Sequence, residues 1–178
     1  SIDRFYPALN KLLHRFEIQT GLQVVIAAHP RTEDAKIKKL LPGRKVYHGA
    51  TSNLIRESRI VIASYSTAIG LAVLFEKPIL IITSDEIKAN RYLVGFVENM
   101  AQSLGVLPVN IDQVDEIDFA EAAAIHTEQR MKYINNFIKR KGSPVKPYWE
   151  IVIDTIRERY PQRAINDFPP NTNLGAGA

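Results

Sequence analysis

Cysteine is absent from this 178-residue chain, and with it go disulfides, thiolate nucleophiles and cysteine-held zinc or iron–sulfur centres. Long apolar runs are missing too. The longest, residues 78–83, falls far short of the roughly 20 residues that a bilayer span needs, and the chain opens on helical periodicity instead of a charged-then-apolar leader. No internal repeat is visible, and Gly 9 and Pro 10 are ordinary amounts, so collagen-like, low-complexity and wholly disordered classes fall away. An excess of one charge is also lacking: 23 basic against 19 acidic residues leave +4, and Lys139-Arg140-Lys141 is the one basic run. That balance suits a nucleotide, a phosphate or an anionic surface, and nothing in it indicates nucleic acid. No group of His and carboxylates has metal-ligand spacing, so neither metal nor cofactor is expected.

What is present is an alternation of two periodicities. Ile2, Phe5, Leu9, Leu12, Leu13 and Phe16 recur at helical steps up to Gly21. Residues 22–28 then form a short run rich in β-branched side chains, read as a strand buried on both faces. Helices are expected at 33–41, 50–57, 68–75, 91–104 and, as one long element, 118–140; strands at 45–47, 59–63, 78–82 and 106–109. A last helix carries Trp149, Val152, Ile153, Ile156 and Tyr160 on one face. Strands of this kind alternating with helices predict an α/β fold, a Rossmann-like parallel sheet flanked by helices on both faces. The expected strands centre on Val25, Val46, Ile62, Leu80 and Leu107, all in one sheet. The organisation expected is one domain over 1–163 and an extended or disordered arm over 164–178.

In open α/β sheets ligands bind beyond the carboxyl ends of the strands, and the polar residues of catalytic type fall there. His29-Pro30-Arg31 offers an imidazole and a guanidinium, both donors to phosphate oxygens, with Pro30 biasing His29 to an extended backbone. Tyr47-His48-Gly49 follows the second strand, and Gly49 allows a ligand close to the backbone, with Thr51 and Ser52 as caps of the next helix. Ser64-Tyr65-Ser66-Thr67 follows the third, where Ser66 and Thr67 at a helix start make an anion site or, as the competing role, simple caps. Asp85-Glu86 after the fourth strand is a ribose-binding pair or a cap. His14 and His126 fall within helices as surface or packing residues.

The order His29-Pro30-Arg31, Tyr47-His48-Gly49, Ile60 to Gly70 and Glu76-Lys77-Pro78-Ile79-Leu80 resembles the nucleotide-binding C-terminal half of GT-B glycosyltransferases. It is most similar to the bacterial sialyltransferase and polysialyltransferase group and to related capsule and surface-polysaccharide transferases, which carry a His-Pro pair and a Ser-Ser or Ser-Thr pair. The resemblance covers about residues 22–82. It implies His29 as the catalytic group on the departing phosphate, with Pro30 and Arg31 beside it. Ser66 and Thr67 would hold the same phosphate from the opposite side and the loop at Val46 to His48, with Tyr47, would face the base, while Ser64 and Gly49 count among the nucleotide- or phosphate-binding residues.

It also implies a CMP- or UDP-type nucleotide-sugar donor, a glycan acceptor and a cytoplasmic location, free or peripheral at the inner membrane surface. The acidic-acidic-Gly motif that activates the acceptor in that family is not matched, so the chain reads as half an enzyme, inactive alone, whose partner is the N-terminal half of the same protein. The chain also resembles a sugar-nucleotide epimerase half-domain, whose Gly-rich turn and carboxylates are not matched by residues 66–76. A non-catalytic nucleotide- or phosphate-binding module and a plain interaction domain are the other readings. The last helix is expected to leave apolar surface exposed or to support weak self-association.

Overall fold

The helical spacing at the start of the chain folds as α1 (Ile2–Thr20), which buries Leu12, Leu13 and Phe16. It ends where Gly21 adopts φ +67° and donates its N–H to the Glu17 carbonyl at 3.0 Å, a left-handed turn that a residue without Cβ takes cheaply. The structure, a computed structural model, describes residues 2–113 and 117–160. They fall into two units, 1–140 and 141–178.

In the first unit, β1 (Val25–Ala28) pairs in parallel with β2 (Lys45–His48), Val25 opposite Lys45 and Ala28 opposite His48. A second parallel sheet has the order β3 (Val61–Ala63), β4 (Ile79–Thr83), β5 (Val109–Asn110). The crossovers that parallel pairing demands are α2 (Asp34–Leu40), α3 (Thr51–Glu57), α4 (Ile69–Leu74), and the pair α5 (Asp85–Ala89) and α6 (Arg91–Leu104). After β5 come α7 (Phe119–Ala122) and α8 (Thr127–Tyr133), the latter running into a π-helical turn at Ile134–Ile138.

Every residue of β4 is buried, and the pleat divides its side chains between two cores. Leu80 and Ile82 join Leu12, Phe16, Ala28 and Phe119 on one side; Ile79 and Ile81 join Ile69, Val73, Val97 and Leu104 on the other. The result is a mixed α/β unit of small parallel sheets with helices on both faces of β4.

A polar clamp fixes the entries of the first two strands. Arg44, its side chain 8% exposed, donates to Asn10 Oδ1 at 2.7 Å and to Glu17 Oε2 at 3.1 Å. The other Glu17 oxygen accepts the Val24 N–H at 3.0 Å, and the Asn10 amide donates to the Leu40 carbonyl at 2.6 Å.

The expectation of one continuous sheet is corrected: Val25 and Ile62 stand in different sheets. Val24, Ile26, Ile60 and Ile62 still meet in one hydrophobic cluster, so side-chain packing joins strands too short to share a ladder. The first strand is also not buried on both faces, because Val25, Ala27, Lys45 and Tyr47 are exposed on one side of the two-stranded sheet.

The fifth strand begins later than predicted. Gly105 caps α6 at φ +68°, Val106 donates to the Ala101 carbonyl to close that cap, Pro108 has no N–H to give a ladder, and Leu107 is 85% exposed. The long helix predicted over 118–140 is broken at 123–126, where the Ala123 carbonyl accepts the Ile79 N–H at 3.0 Å and so turns the chain onto the start of β4. His126 accordingly stands at the N-cap of α8 and not within a helix.

The second unit contains α9 (Tyr148–Arg159), and the predicted arm over 164–178 lies outside the described residues. The predicted boundary at 163 lies there too. Trp149, Ile153 and Ile156 follow one stripe of α9, each at least 40% exposed.

Packing makes a contrast that denaturation can read. Leu80→Ala or Ile81→Ala, each opening a cavity on one face of β4, should each cost about 2–5 kcal/mol in urea unfolding. Leu107→Ala should stay within about 0.5 kcal/mol of the parent, because this exposed residue is not in a strand.

Candidate functional site

Among the described residues all five strands run parallel within their sheets, so each sheet gathers its exits at one edge. At the exit of β1 the chain turns sharply: the His29 carbonyl accepts the Thr32 N–H at 2.9 Å, and His29 Nδ1 accepts the Arg31 N–H at 3.2 Å. Accepting at Nδ1 makes Nε2 the ring's donor in the neutral form. His29, Pro30 and Arg31 are all exposed.

His48 closes β2 beside them, and its Nε2 is hydrogen-bonded to Asp34 Oδ1 at the start of α2. Its partner therefore lies within the protein. The hydrogen bond from His48, helped by the nearby Lys38 ammonium at 3.6 Å, holds the Asp34 carboxyl below the usual aspartate range. Tyr47 is 39% exposed and Gly49 sits at φ +68°, a conformation that favours glycine. Thr51 and Ser52 do not cap: Ala50 occupies the N-cap of α3, with no side-chain hydrogen bond.

At the exit of β3 the residues take different roles. Ser66 Oγ accepts the Ala68 N–H at 3.2 Å and the Ser66 carbonyl accepts the Ile69 N–H at 3.1 Å, so Ser66 plays the local capping part. Thr67 is exposed, and α4 has six residues. Ser64 differs: its Oγ is buried with no hydrogen-bond partner. His29 belongs to the exits of one sheet and Ser64, Ser66 and Thr67 to those of the other, and the hydrogen bonds of His29 and Ser66 stay within their own turns.

Asp85 does not cap α5 with its side chain. Ser84 does, accepting the Ile87 N–H at 3.1 Å, while Asp85 accepts from the Asn110 amide at 2.8 Å and gives its own N–H to Asp112 at 2.8 Å. This loop of bonds ties the exit of β4 to that of β5.

Between these exits and the first turns of α1 lies a cavity of about 370 Å³. Phe5, Ile87 and Leu93 give it apolar walls, Tyr6 and Tyr65 its aromatic rings, and Ser64, Ser84, Glu86 and Asn90 its polar groups. Of the residues singled out in the sequence it includes Ser64 and Tyr65 from the loop after the third strand and Glu86 of the Asp85-Glu86 pair. A second hollow of about 520 Å³, lined by Arg15, Gln19, Thr20 and residues 117–120, contains none of them and lies away from the strand exits.

Ser84 and Tyr65 were visible in sequence as parts of strand-end loops. Phe5, Tyr6 and Asn90 were not, since their helical spacing or capping chemistry carries no sign of a cavity. Among the described residues no three His, Asp or Glu side chains form a metal-binding group, and no helix is long and apolar enough to cross a membrane. No family model, curated protein or solved structure matches this chain.

The Asp34 pairing has a definite pH signature. A carboxyl depressed in the folded state stabilises fully above the unfolded group's titration and loses that contribution as pH falls through the folded one. Carboxylate carbon shifts should therefore place the Asp34 midpoint below that of an ordinary aspartate, and His48→Ala should raise it part of the way back, Lys38 remaining. An unchanged midpoint in the variant would show that His48 is not the cause.

Proposed function

We propose that this chain is the nucleotide-binding half of a GT-B glycosyltransferase, sialyltransferase-like in its motifs, taking a CMP- or UDP-type sugar donor in the synthesis of surface polysaccharide or glycan. The acceptor and the carboxylate that activates it belong, on this reading, to the N-terminal half of the same protein, which works in the cytoplasm or at the inner membrane surface.

The observation that carries the reading is the His29-Pro30-Arg31 turn at the exit of β1. Arg31 N–H holds Nδ1, so the neutral imidazole carries its proton on Nε2, and both His29 and Arg31 are exposed at this turn. Sugar transfer leaves a nucleotide whose phosphate gains negative charge in the transition state, and donors already oriented toward that charge lower the barrier. His29 Nε2–H and the Arg31 guanidinium supply such donors. Ser66 spends its oxygen lone pair on Ala68 but keeps its hydroxyl proton to donate, with Thr67 next to it. Support from these two is thus weaker than their sequence suggested.

Without a second half to close over the donor, binding should be weak. A dissociation constant of 1 mM corresponds to about 4 kcal/mol, what two or three charge-assisted hydrogen bonds leave after the cost of association. NMR titration with CMP, CDP, UMP and UDP should shift resonances around residues 29–31 at high-micromolar to millimolar concentration, with no sugar transfer by the chain alone. His29→Ala should weaken binding by about tenfold or more at unchanged stability. Absence of any shift there at several millimolar, on the order of the expected constant, would remove the reading.

A further inference from the structure

We infer that α9 and the basic stretch that leads into it along the chain dock on an anionic lipid surface, with α9 lying flat in the headgroup layer. The inference deepens the transferase reading by choosing the membrane surface over the free cytoplasm; it rests on that reading for what the protein does there and not for the lipid binding itself.

The helix carries the first argument. Trp149, Ile153, Ile156 and Tyr160 recur at helical steps on one stripe, and all four are exposed, Trp149 at 64%. An apolar stripe standing in water along a whole helix is what an interfacial helix presents to lipid. With about 3.6 residues per turn, Arg157 and Arg159 fall about 80° to either side of Trp149, whereas Glu150, Asp154 and Glu158 fall about 100–180° from it. Cations thus border the stripe and carboxylates take the far side. That order puts the guanidinium groups at the depth of the lipid phosphates and leaves the acids in water. Twelve residues at about 1.5 Å each reach about 18 Å, too little to cross a hydrocarbon core of about 30 Å, so the helix can only lie on it.

Charge carries the second. Residues 139–160 hold six basic and three acidic side chains, so +3 of the chain's +4 falls within this short stretch. From Lys139 to Trp149 no acidic residue occurs. Lys146 Nζ is engaged by Asp154 Oδ2 at 2.6 Å, but among the described residues no ion pair takes up Lys139, Arg140 or Lys141, and all three are exposed. A basic cluster next to an amphipathic helix gains from the negative potential of an anionic leaflet.

The apolar residues decide between lipid and the other polyanion, nucleic acid. Val145 is 95% exposed, and Tyr148 and Trp149 follow it at the start of α9. Tyr and Trp settle at the headgroup level, where the ring meets hydrocarbon and the O–H or N–H meets water. A phosphodiester backbone would use the cations but has no place for Val145, Ile153 and Ile156, whereas a bilayer takes both.

The test uses the whole 178-residue chain, in which Trp149 is the single tryptophan and reports the contact by its emission. The chain should co-sediment with vesicles of phosphatidylcholine containing about 30% phosphatidylglycerol, with Trp149 emission shifted to the blue, and should bind pure phosphatidylcholine at least about tenfold more weakly. Raising the salt from about 0.1 to 0.5 M should weaken the binding about tenfold. Changing Lys139→Gln, Arg140→Gln and Lys141→Gln together should weaken it by about tenfold or more, and Ile153→Gln with Ile156→Gln should abolish the blue shift. These side chains are exposed, so circular dichroism of both variants should match the parent.

No co-sedimentation with the anionic vesicles at about 1 mM lipid, or equal binding to neutral ones, overturns the inference. So does co-sedimentation with Trp149 emission unmoved, which would put the contact on another surface. An oligonucleotide that shifts Trp149 emission when anionic vesicles do not, or a dimer in light scattering that Ile153→Gln dissociates while vesicles stay unbound, would give the stripe to nucleic acid or to a second copy and equally overturns it. Failure to bind vesicles while nucleotides still shift residues 29–31 sinks this inference alone. Vesicle binding through Trp149 without any nucleotide binding keeps it and sinks the transferase reading.

Discussion

Burial of β4 on both faces is the constraint on which the rest of the first unit depends. A five-residue strand with no exposed position, Ile79–Thr83, can lie only between two apolar layers, so its alternate side chains recruit α1 and α7 on one side and α4, α6 and α8 on the other. Helices on both faces require crossovers, and crossovers require neighbouring strands to run parallel. Parallel strands in turn send all their exits to one edge of each sheet. The loops that bear polar chemistry are thus consequences of where Leu80 and Ile81 are buried.

Different polar groups secure the two ends of the strands. At the entries, Arg44, Glu17 and Asn10 bond one another and backbone groups in a half-buried clamp in which Arg44 Nε is buried without a hydrogen-bond partner. At the exits, the Asp85, Asn110 and Asp112 bonds and the Ser84 cap fix the backbone while Ser64 keeps a hydroxyl without a partner. His48 and His29 illustrate the same division within one sheet edge: the first is engaged by Asp34, whereas the second keeps a ring donor directed away from its own turn's hydrogen bond. The exposed His29-Pro30-Arg31 turn and the cavity lined by Ser64, Ser84 and Glu86 consequently belong to separate exits.

Much of the fold was legible because short-range rules sufficed. α6 appears at the residues its periodicity marks, Arg91–Leu104, and the first four strands lie within a residue or three of their apolar runs. Failures occurred where a longer-range demand prevailed. The Ile79 N–H needs an acceptor, and Ala123 supplies it by interrupting what the sequence pattern presents as one helix. β1 reads as doubly buried because its residues are apolar, yet burial depends on what lies above a face, and Val25 and Ala27 have too little above them.

The candidate site divides along the same line. Sequence by itself determined which residue types stand at the strand exits, since apolar runs stop where His29, His48, Ser64 and Ser84 begin, and it determined the local turns at Gly49 and Gly105, where the backbone needs a left-handed conformation. Only the tertiary structure decided which of those groups remain available. Ser66 is used within its own turn and His48 by a carboxylate fourteen residues away, while Ser64 is left unpaired in a cavity whose rings come from α1 and from Tyr65. Hydrogen-bond partners and cavities depend on distances between segments far apart in the chain, and those distances are set by the packing of the two cores and not by any pattern along one segment.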